Sequence, residues 1–440
     1  MPAPTDRSPS PSASGFQLDR RGLLKGAAGA AGVAALGLTL PAAVARAQAT
    51  PTATGEVTLG SNASDAVPKA ALEAVVAALP NKNLTVKINT TDHNTFQENI
   101  TTYLQNPDDV LTWFAGYRMR YFAAQGLVGD ITDVWSAGLS DQMGEGFKNA
   151  STGDDGKQYF VPGSYYCWGI HYRKSLFEEN GYTAPANMDD LKALAADMVA
   201  KGITPFAFAN DGRWPAMGTF DQLNFRLNGY QFHVDLMAGK EKWTDDRVKA
   251  VFAAWTELLP LHQENPNGRT WQEAAASLID RSAGMYTLGN FVTEQFPEEE
   301  RDDVDFFPWP EMNPEFGTGT IEAPIDGYMM AAKPKNAEGA KELLYHFGTA
   351  EANDAQLSVS PSVVVPNNGA DTSVYSPLQQ KVFEAVSAAS NVTQFLDRDA
   401  SPEFAANVAG PLLADFLADP KSIDSILEDM QAQAEEIYGA

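Results

Sequence analysis

The sequence predicts an α/β protein divided between two lobes, on three observations. Short apolar runs of strand character alternate with runs at helical spacing along most of the chain, the pattern of sheets with helices on both faces. About 390 residues remain once an N-terminal leader is set aside, more than one core of ordinary size organises. Pro162-Gly163 breaks the chain between two apolar runs, which is the punctuation of a crossing.

The leader comes first in the chain. Asp19-Arg20-Arg21-Gly22-Leu23-Leu24-Lys25 is a twin-arginine signature, followed by an Ala/Gly-rich apolar run from Gly26 to Leu40. Ala45-Arg46-Ala47 fits a small-residue cleavage site, with Ala47-Gln48-Ala49 as the alternative. The apolar run is shorter than the ~20 residues that span a bilayer. Residues 1–47 are therefore expected to be a twin-arginine signal peptide, directing a folded protein to a periplasm or a cell surface. Residues 48–55 read as a Thr/Ala/Pro linker, expected to be disordered.

Val57-Thr58-Leu59 reads as the first strand and Val67 to Leu79 as a helix. Leu84 to Ile88 alternates as a strand, Phe96 to Leu104 is helical, and Asp109 to Phe114 is a third strand closed by Gly116. This order calls for mostly parallel sheets. Farther on, Asp189 to Lys201 is a helix, Ile203 to Phe208 a strand, and Phe220 to Leu227, Val248 to Leu259 and Trp271 to Ile279 are helices. Gly284 to Gly289, Asp303 to Phe307 and Tyr328 to Ala332 read as strands, and Ala337 to Phe347 as the helix after them. The end is helical over Pro377 to Ser387, Pro402 to Leu417 and Ile423 to Ile437.

Charge and cysteine content exclude several function classes. Removing residues 1–47 leaves 26 basic against 55 acidic residues, a net charge of −29. Such a surface repels nucleic acid and anionic lipid. Cys167 is the only cysteine, so neither an intrachain disulfide nor a multi-cysteine metal site is available, and the thiol reads as a small buried hydrophobe. The five histidines never fall at a metal-ligand spacing, and no cofactor is expected.

Gly156 to Asn180 is the most informative stretch. Tyr159-Phe160-Val161 runs into Pro162-Gly163, then come Tyr165, Tyr166 and Trp168, a second apolar run and a helix start. Three large rings directly after a chain break point to a ligand cleft, since each offers a broad apolar face with a polar tip.

These and other segments resemble the carbohydrate-binding proteins of ABC importers, the maltose-binding-like family 1 solute-binding proteins. The matching residues are Asp108-Asp109-Val110 with Trp113-Phe114-Ala115-Gly116, Gly156-Lys157-Gln158-Tyr159-Phe160-Val161-Pro162, and His171 to Phe177, where Arg173 departs from the family's Asn. Gly202-Ile203-Thr204-Pro205-Phe206, Ala283-Gly284-Met285-Tyr286, and Asp326-Gly327-Tyr328 with Lys341-Glu342-Leu343-Leu344 continue the match in order. The resemblance implies a type II periplasmic-binding-protein fold, two α/β lobes joined by hinge strands with the ligand between them. Lobe one would hold 56–161 and 325–362, and lobe two 166–320 and 368–440. Hinge crossings would lie near Pro162-Gly163, Glu322-Ala323-Pro324 and Val364-Val365-Pro366. It further implies an exported, monomeric, non-enzymatic receptor that delivers a sugar or oligosaccharide to the permease subunits of an ABC transporter.

A sugar site needs aromatic platforms under the flat C–H faces and planar polar groups around the hydroxyls. Tyr165, Tyr166, Trp168 and Trp214 are the expected platforms. Gly116 with Tyr117, and Asn290 in Gly289-Asn290-Phe291, would bring backbone amides and an amide side chain to hydroxyls. Asp326 and Tyr328 would add a carboxylate and a ring, and Arg398 a bidentate fork, or else a salt bridge to a neighbouring acid. Asp65 and His93 lie in early loops within reach. Trp135, Trp243, Trp255 and Trp271 sit at amphipathic helix spacing and are assigned to the core. Three alternatives stand beside this reading. A secreted carbohydrate-active enzyme would need two carboxylates ~5 to 9.5 Å apart, and no stretch singles out such a pair. A ferric-iron receptor would use Tyr165-Tyr166 as phenolate ligands, and a surface adhesin would bind no small ligand.

Overall fold

Two main sheets and a short two-stranded ribbon carry the fold of the computed structural model, which describes residues 52–439. The twin-arginine segment lies outside the described residues. The last linker residues are ordered: Ala53 is buried, its N–H donates to Glu342 and its carbonyl accepts from Asn81.

The strands are β1 (Gly55–Ser61), β2 (Leu84–Thr90), β3 (Val110–Phe114), β4 (Val161–Tyr165), β5 (Trp168–Arg173), β6 (Thr204–Ala207), β7 (Ala283–Gly289), β8 (Val304–Phe307), β9 (Thr320–Glu322), β10 (Ile325–Met330) and β11 (Asn391–Thr393). The first sheet has the order β2-β1-β3-β10-β4 and the second the order β6-β7-β5-β8. β1 pairs in parallel with β2 and β3, with Val57 and Leu59 wholly buried. Neither sheet is mostly parallel, however. β10 enters between β3 and β4 antiparallel to both, and β5 runs antiparallel to β7 and β8. The cause is the interleaved chain, because a strand returning from the other lobe enters its sheet from the opposite end.

Pro162 and Gly163 lie inside β4, and the chain passes to the second sheet through Tyr166-Cys167. It returns through Ala323-Pro324, between β9 and β10. These passages are tied side by side. Tyr165 and Val364 exchange two backbone hydrogen bonds of 2.8 and 2.9 Å, and the Ala323 N–H donates to the Thr393 carbonyl at 3.0 Å. β11 pairs in parallel with β9, so the 391–395 segment joins the hinge as a further strand, one that its local pattern does not announce.

Four helices begin at the rim of the space between the two main sheets. Trp214 opens a 24-residue helix, Trp214–Met237, and so is not in a loop. Trp271 opens Trp271–Ile279 behind a Thr270/Glu273 capping box. Asp65 caps Ala66–Ala77, and His93 starts His93–Glu98. Trp135, Trp243 and Trp255 are core residues with almost no exposure.

Candidate functional site

Between the two sheets lies a cavity of about 400 Å³, bounded by the ends of β1 and β3, the starts of these helices, and the hinge. Strand ends and the helix starts that follow them are where open α/β sheets hold ligands, and the size lies in the range of small-molecule sites.

One wall is aromatic. Trp168, at the start of β5, meets Trp214 edge to face with ring centroids 6.1 Å apart. Phe291 is the hub of the cluster: Tyr166 lies 5.3 Å, Trp271 5.2 Å and Trp214 6.2 Å from it, all in edge-on geometry. Such arrangements leave ring faces free toward the cavity. Trp168 fits because Gly218 lies beneath it, where a Cβ would come 2.5 Å from the indole and 2.7 Å from Phe395. Gly218→Ala is expected to tilt Trp168 and to weaken ligand binding more than it lowers the unfolding midpoint, measured by titration calorimetry and urea denaturation.

The opposite wall is a chain of charged and amide groups. Arg398, in the short helix Leu396–Asp399, donates to the Tyr166 hydroxyl at 2.9 Å, and its guanidinium lies over the Phe114 ring at 4.1 Å. Its Nη1 is 2.9 Å from Asp326 Oδ1, out of line for a hydrogen bond, so this contact is coulombic. Arg118 donates to Asp397 Oδ2 at 3.2 Å and to Gln97 Oε1 at 3.0 Å, and Gln97 Nε2 lies 2.7 Å from His93 Nε2. Burial raises the Asp326 carboxyl against the opposing pull of Arg398. Burial also lowers His93, which favours a neutral imidazole. The polar wall thus alternates donors and acceptors, as a ring of hydroxyls requires.

Glu294, in the turn after β7, accepts from the Ser362 and Ser360 hydroxyls. Burial pushes its carboxyl up to about 7, and Asp65 across the cleft adds to the rise. An unfolded glutamate titrates near 4.5. Between those values the native state keeps a proton that the unfolded state has lost. The stability this contributes is complete below 4.5 and disappears as pH rises through about 7. The urea midpoint is expected to fall between pH 5.5 and 8, and Glu294→Gln to flatten that slope.

The two sides of the cleft touch at its mouth. Gln272 Nε2 donates to Asp65 Oδ1 at 3.3 Å, and the Asn94 amide sits 2.8 Å from where a Cβ on Gly212 would be. The lobes are in a closed arrangement.

Of the residues expected at the site, Tyr166, Trp168, Trp214, Asp326, Tyr328, Arg398, Asp65 and His93 line the cavity. Tyr165, Gly116, Tyr117 and Asn290 do not. Tyr165 alternates to the other face of β4 and packs on Phe147 at 5.4 Å. Gly116, at φ 99°, allows the backbone of Arg398 to come close, since a Cβ there would lie 3.0 Å from the Arg398 carbonyl. Tyr117 stacks on the Tyr121 ring of its own helix. Asn290 is wholly buried: its Oδ1 accepts from the Cys167 N–H and its amide donates to the Ser362 carbonyl, clasping the hinge. Trp271, assigned to the core from its helical spacing, instead lines the cavity, as do Phe291 and Glu294. The usable signal was position: Trp271, like Trp214, is the first residue of its helix, where side chains face the strand ends. Among the described residues no cluster of three His, Cys, Asp or Glu could hold a metal, and Tyr165 and Tyr166 stand in different surroundings, so they cannot ligate one ion together.

Residues 63–354 match the family model of the bacterial extracellular solute-binding proteins. Over 88% of this chain and 100% of the other, the structure superposes with a TM-score of 0.85 and 42% identity on the bacterial solute receptor AcbH, characterised as having an exclusive substrate preference for β-D-galactopyranose. The sequence is 26% identical over 342 residues to an ABC transporter extracellular-binding protein of Pyrococcus horikoshii, covering 76% of this chain and 74% of that protein. It is 23% identical over 314 residues to the diacetylchitobiose binding protein NgcE of Streptomyces coelicolor, covering 66% of each. The fold is the two-lobed solute-binding architecture with its cleft between the lobes.

Proposed function

We propose, because this chain belongs to the bacterial extracellular solute-binding protein family, that it captures a sugar between its lobes and delivers it to the permease of an ABC transporter. The observation that carries the reading is the cleft itself: an aromatic wall centred on Phe291 faces a hydrogen-bonding wall centred on Arg398. Relatives of this chain are binding proteins, and no covalent step is part of the mechanism. Stacking and hydroxyl bonds become complete only when both walls engage, which drives closure. AcbH, at 42% identity, makes β-D-galactopyranose the first ligand to test.

In this reading lobe one comprises 56–161 with 325–362, and lobe two 166–320 with 368–440. Tyr166, Trp168 and Trp214 act as platforms, while Asp326 and Arg398 receive hydroxyls at the polar wall. Tyr328 bounds the deep end. Tyr165, Gly116 and Asn290 support the site from behind rather than touch the ligand, and Tyr117 lies outside it. The mature receptor works as a monomer beyond the cytoplasmic membrane, exported by the twin-arginine route.

A thermal-shift panel of mono- to tetrasaccharides tests this directly. Ligand at ~100-fold its dissociation constant is expected to add about 2.7 kcal/mol of stability. A folded sample that responds to no sugar would overturn the reading. Chromatography of an oligosaccharide incubation is expected to show no turnover. Trp214→Ala is expected to weaken the responding sugar by about 1 to 3 kcal/mol, the worth of burying a large apolar side chain; unchanged affinity would remove Trp214 from the site.

A further inference from the structure

The cavity extends well beyond the space between the two walls. Its lining follows the Ala66–Ala77 helix from Asp65 at the mouth to Val75, ten residues on, or about 15 Å along the helix axis. A single pyranose spans only part of that length. The deep part is an annex of different character. The helix contributes Ala71, Leu72 and Val75, and the facing 350–363 segment contributes Val363 with Ser360. Tyr328 closes one side, held by stacking on Phe347 at 3.8 Å. Glu294 stands at the border between annex and chamber, with its carboxylate bonded by serine hydroxyls. No arginine or lysine lines the annex; Arg398, the one cation of the cavity lining among the described residues, belongs to the chamber.

Apolar aliphatic walls do not serve a second hydroxylated ring, whose hydroxyls would lose their water without finding partners. They suit a group that is apolar on all sides. We propose that the site takes a glycoside, with the sugar ring held between the Phe291 and Arg398 walls and a small apolar aglycone lying along the Ala66–Ala77 helix. The proposal rests on the sugar-receptor reading and narrows its substrate class. A free monosaccharide would leave the annex to water, and a longer oligosaccharide would have to place hydroxyls against Leu72 and Val75.

The test is titration calorimetry on the mature protein with four probes: D-galactopyranose, phenyl α-D-galactopyranoside, phenyl β-D-galactopyranoside and lactose. One phenyl anomer is expected to bind at least tenfold tighter than free galactose, with lactose weaker than that anomer. Ala71→Leu, which fills the annex, is expected to abolish the tenfold gain while galactose affinity stays unchanged. The wild-type comparison stands without the variant if Ala71→Leu misfolds. Galactose bound with both phenyl glycosides tenfold weaker would overturn the annex assignment alone. Lactose equal to the better phenyl anomer would also overturn it, in favour of a second sugar ring. Silence from all four probes would overturn the galactopyranose reading and the glycoside proposal with it.

Discussion

Arg398→Ala is expected to reduce sugar affinity by two orders of magnitude or more and to lower stability by about 3 to 5 kcal/mol, the usual cost of removing one partner of a buried ion pair. The guanidinium is 7% exposed and serves Asp326, Asp397, Tyr166 and the Phe114 ring at once. Alanine would leave two acids facing each other across the hinge without a cation. The affinity loss has a separate origin, the missing donors to ligand hydroxyls, each charge-assisted bond being worth about 1.5 to 3 kcal/mol. Asp326→Asn placed in the Arg398→Ala background separates the two. It is expected to restore much of the stability, by removing the orphaned charge, and little of the affinity. Lysine is not a conservative replacement here, because it cannot present a planar fork to Tyr166 and Asp326 together. An Arg398→Ala protein with wild-type affinity would exclude the arginine from ligand recognition.

Gly327→Ala is expected to cost about 3 kcal/mol or more, at the upper end of what overpacking does. Gly327 lies in β10, where the register shifts against β4 between Asp326 and Gly327. A methyl group there would overlap the Val161 carbonyl oxygen of the neighbouring strand and sit 2.7 Å from the Phe160 ring. Phe160 can give a little, but the strand backbone cannot without breaking its ladder. Any shift of β10 also carries Asp326 away from Arg398, so affinity is expected to fall with stability. Urea denaturation and ligand titration of one sample check both, and a wild-type urea midpoint would show that β10 has slack the geometry does not reveal.

Much of this site was legible in the chain because it depends on local order. Trp168 follows a break and Trp214 follows a strand end, and both positions face a cleft in a doubly wound sheet. The Tyr165-Tyr166 pair was legible in principle too: side chains alternate along a strand, so only one of two neighbours can face the ligand. What local order hides is partnership at a distance. Gly116 needs its missing side chain because of Arg398, a residue no spacing rule connects to it. Trp271 obeys a helical period that fits a core, and only its place at the first turn, opposite Phe291, makes it part of the wall. The mixed sheets escaped notice for the same reason, since the insertion of β10 between β3 and β4 is a fact about strand order in space.

That insertion also sets a timetable for assembly. The strand that joins β3 to β4 is supplied by residues 325–330, and the hinge ribbon is completed only by 391–393. While a ribosome is still adding these segments, the first sheet has a gap in its middle and cannot close. Such long-range pairings are slow to form. Each lobe therefore waits for the end of synthesis, and the chain matures as one cooperative unit instead of lobe by lobe.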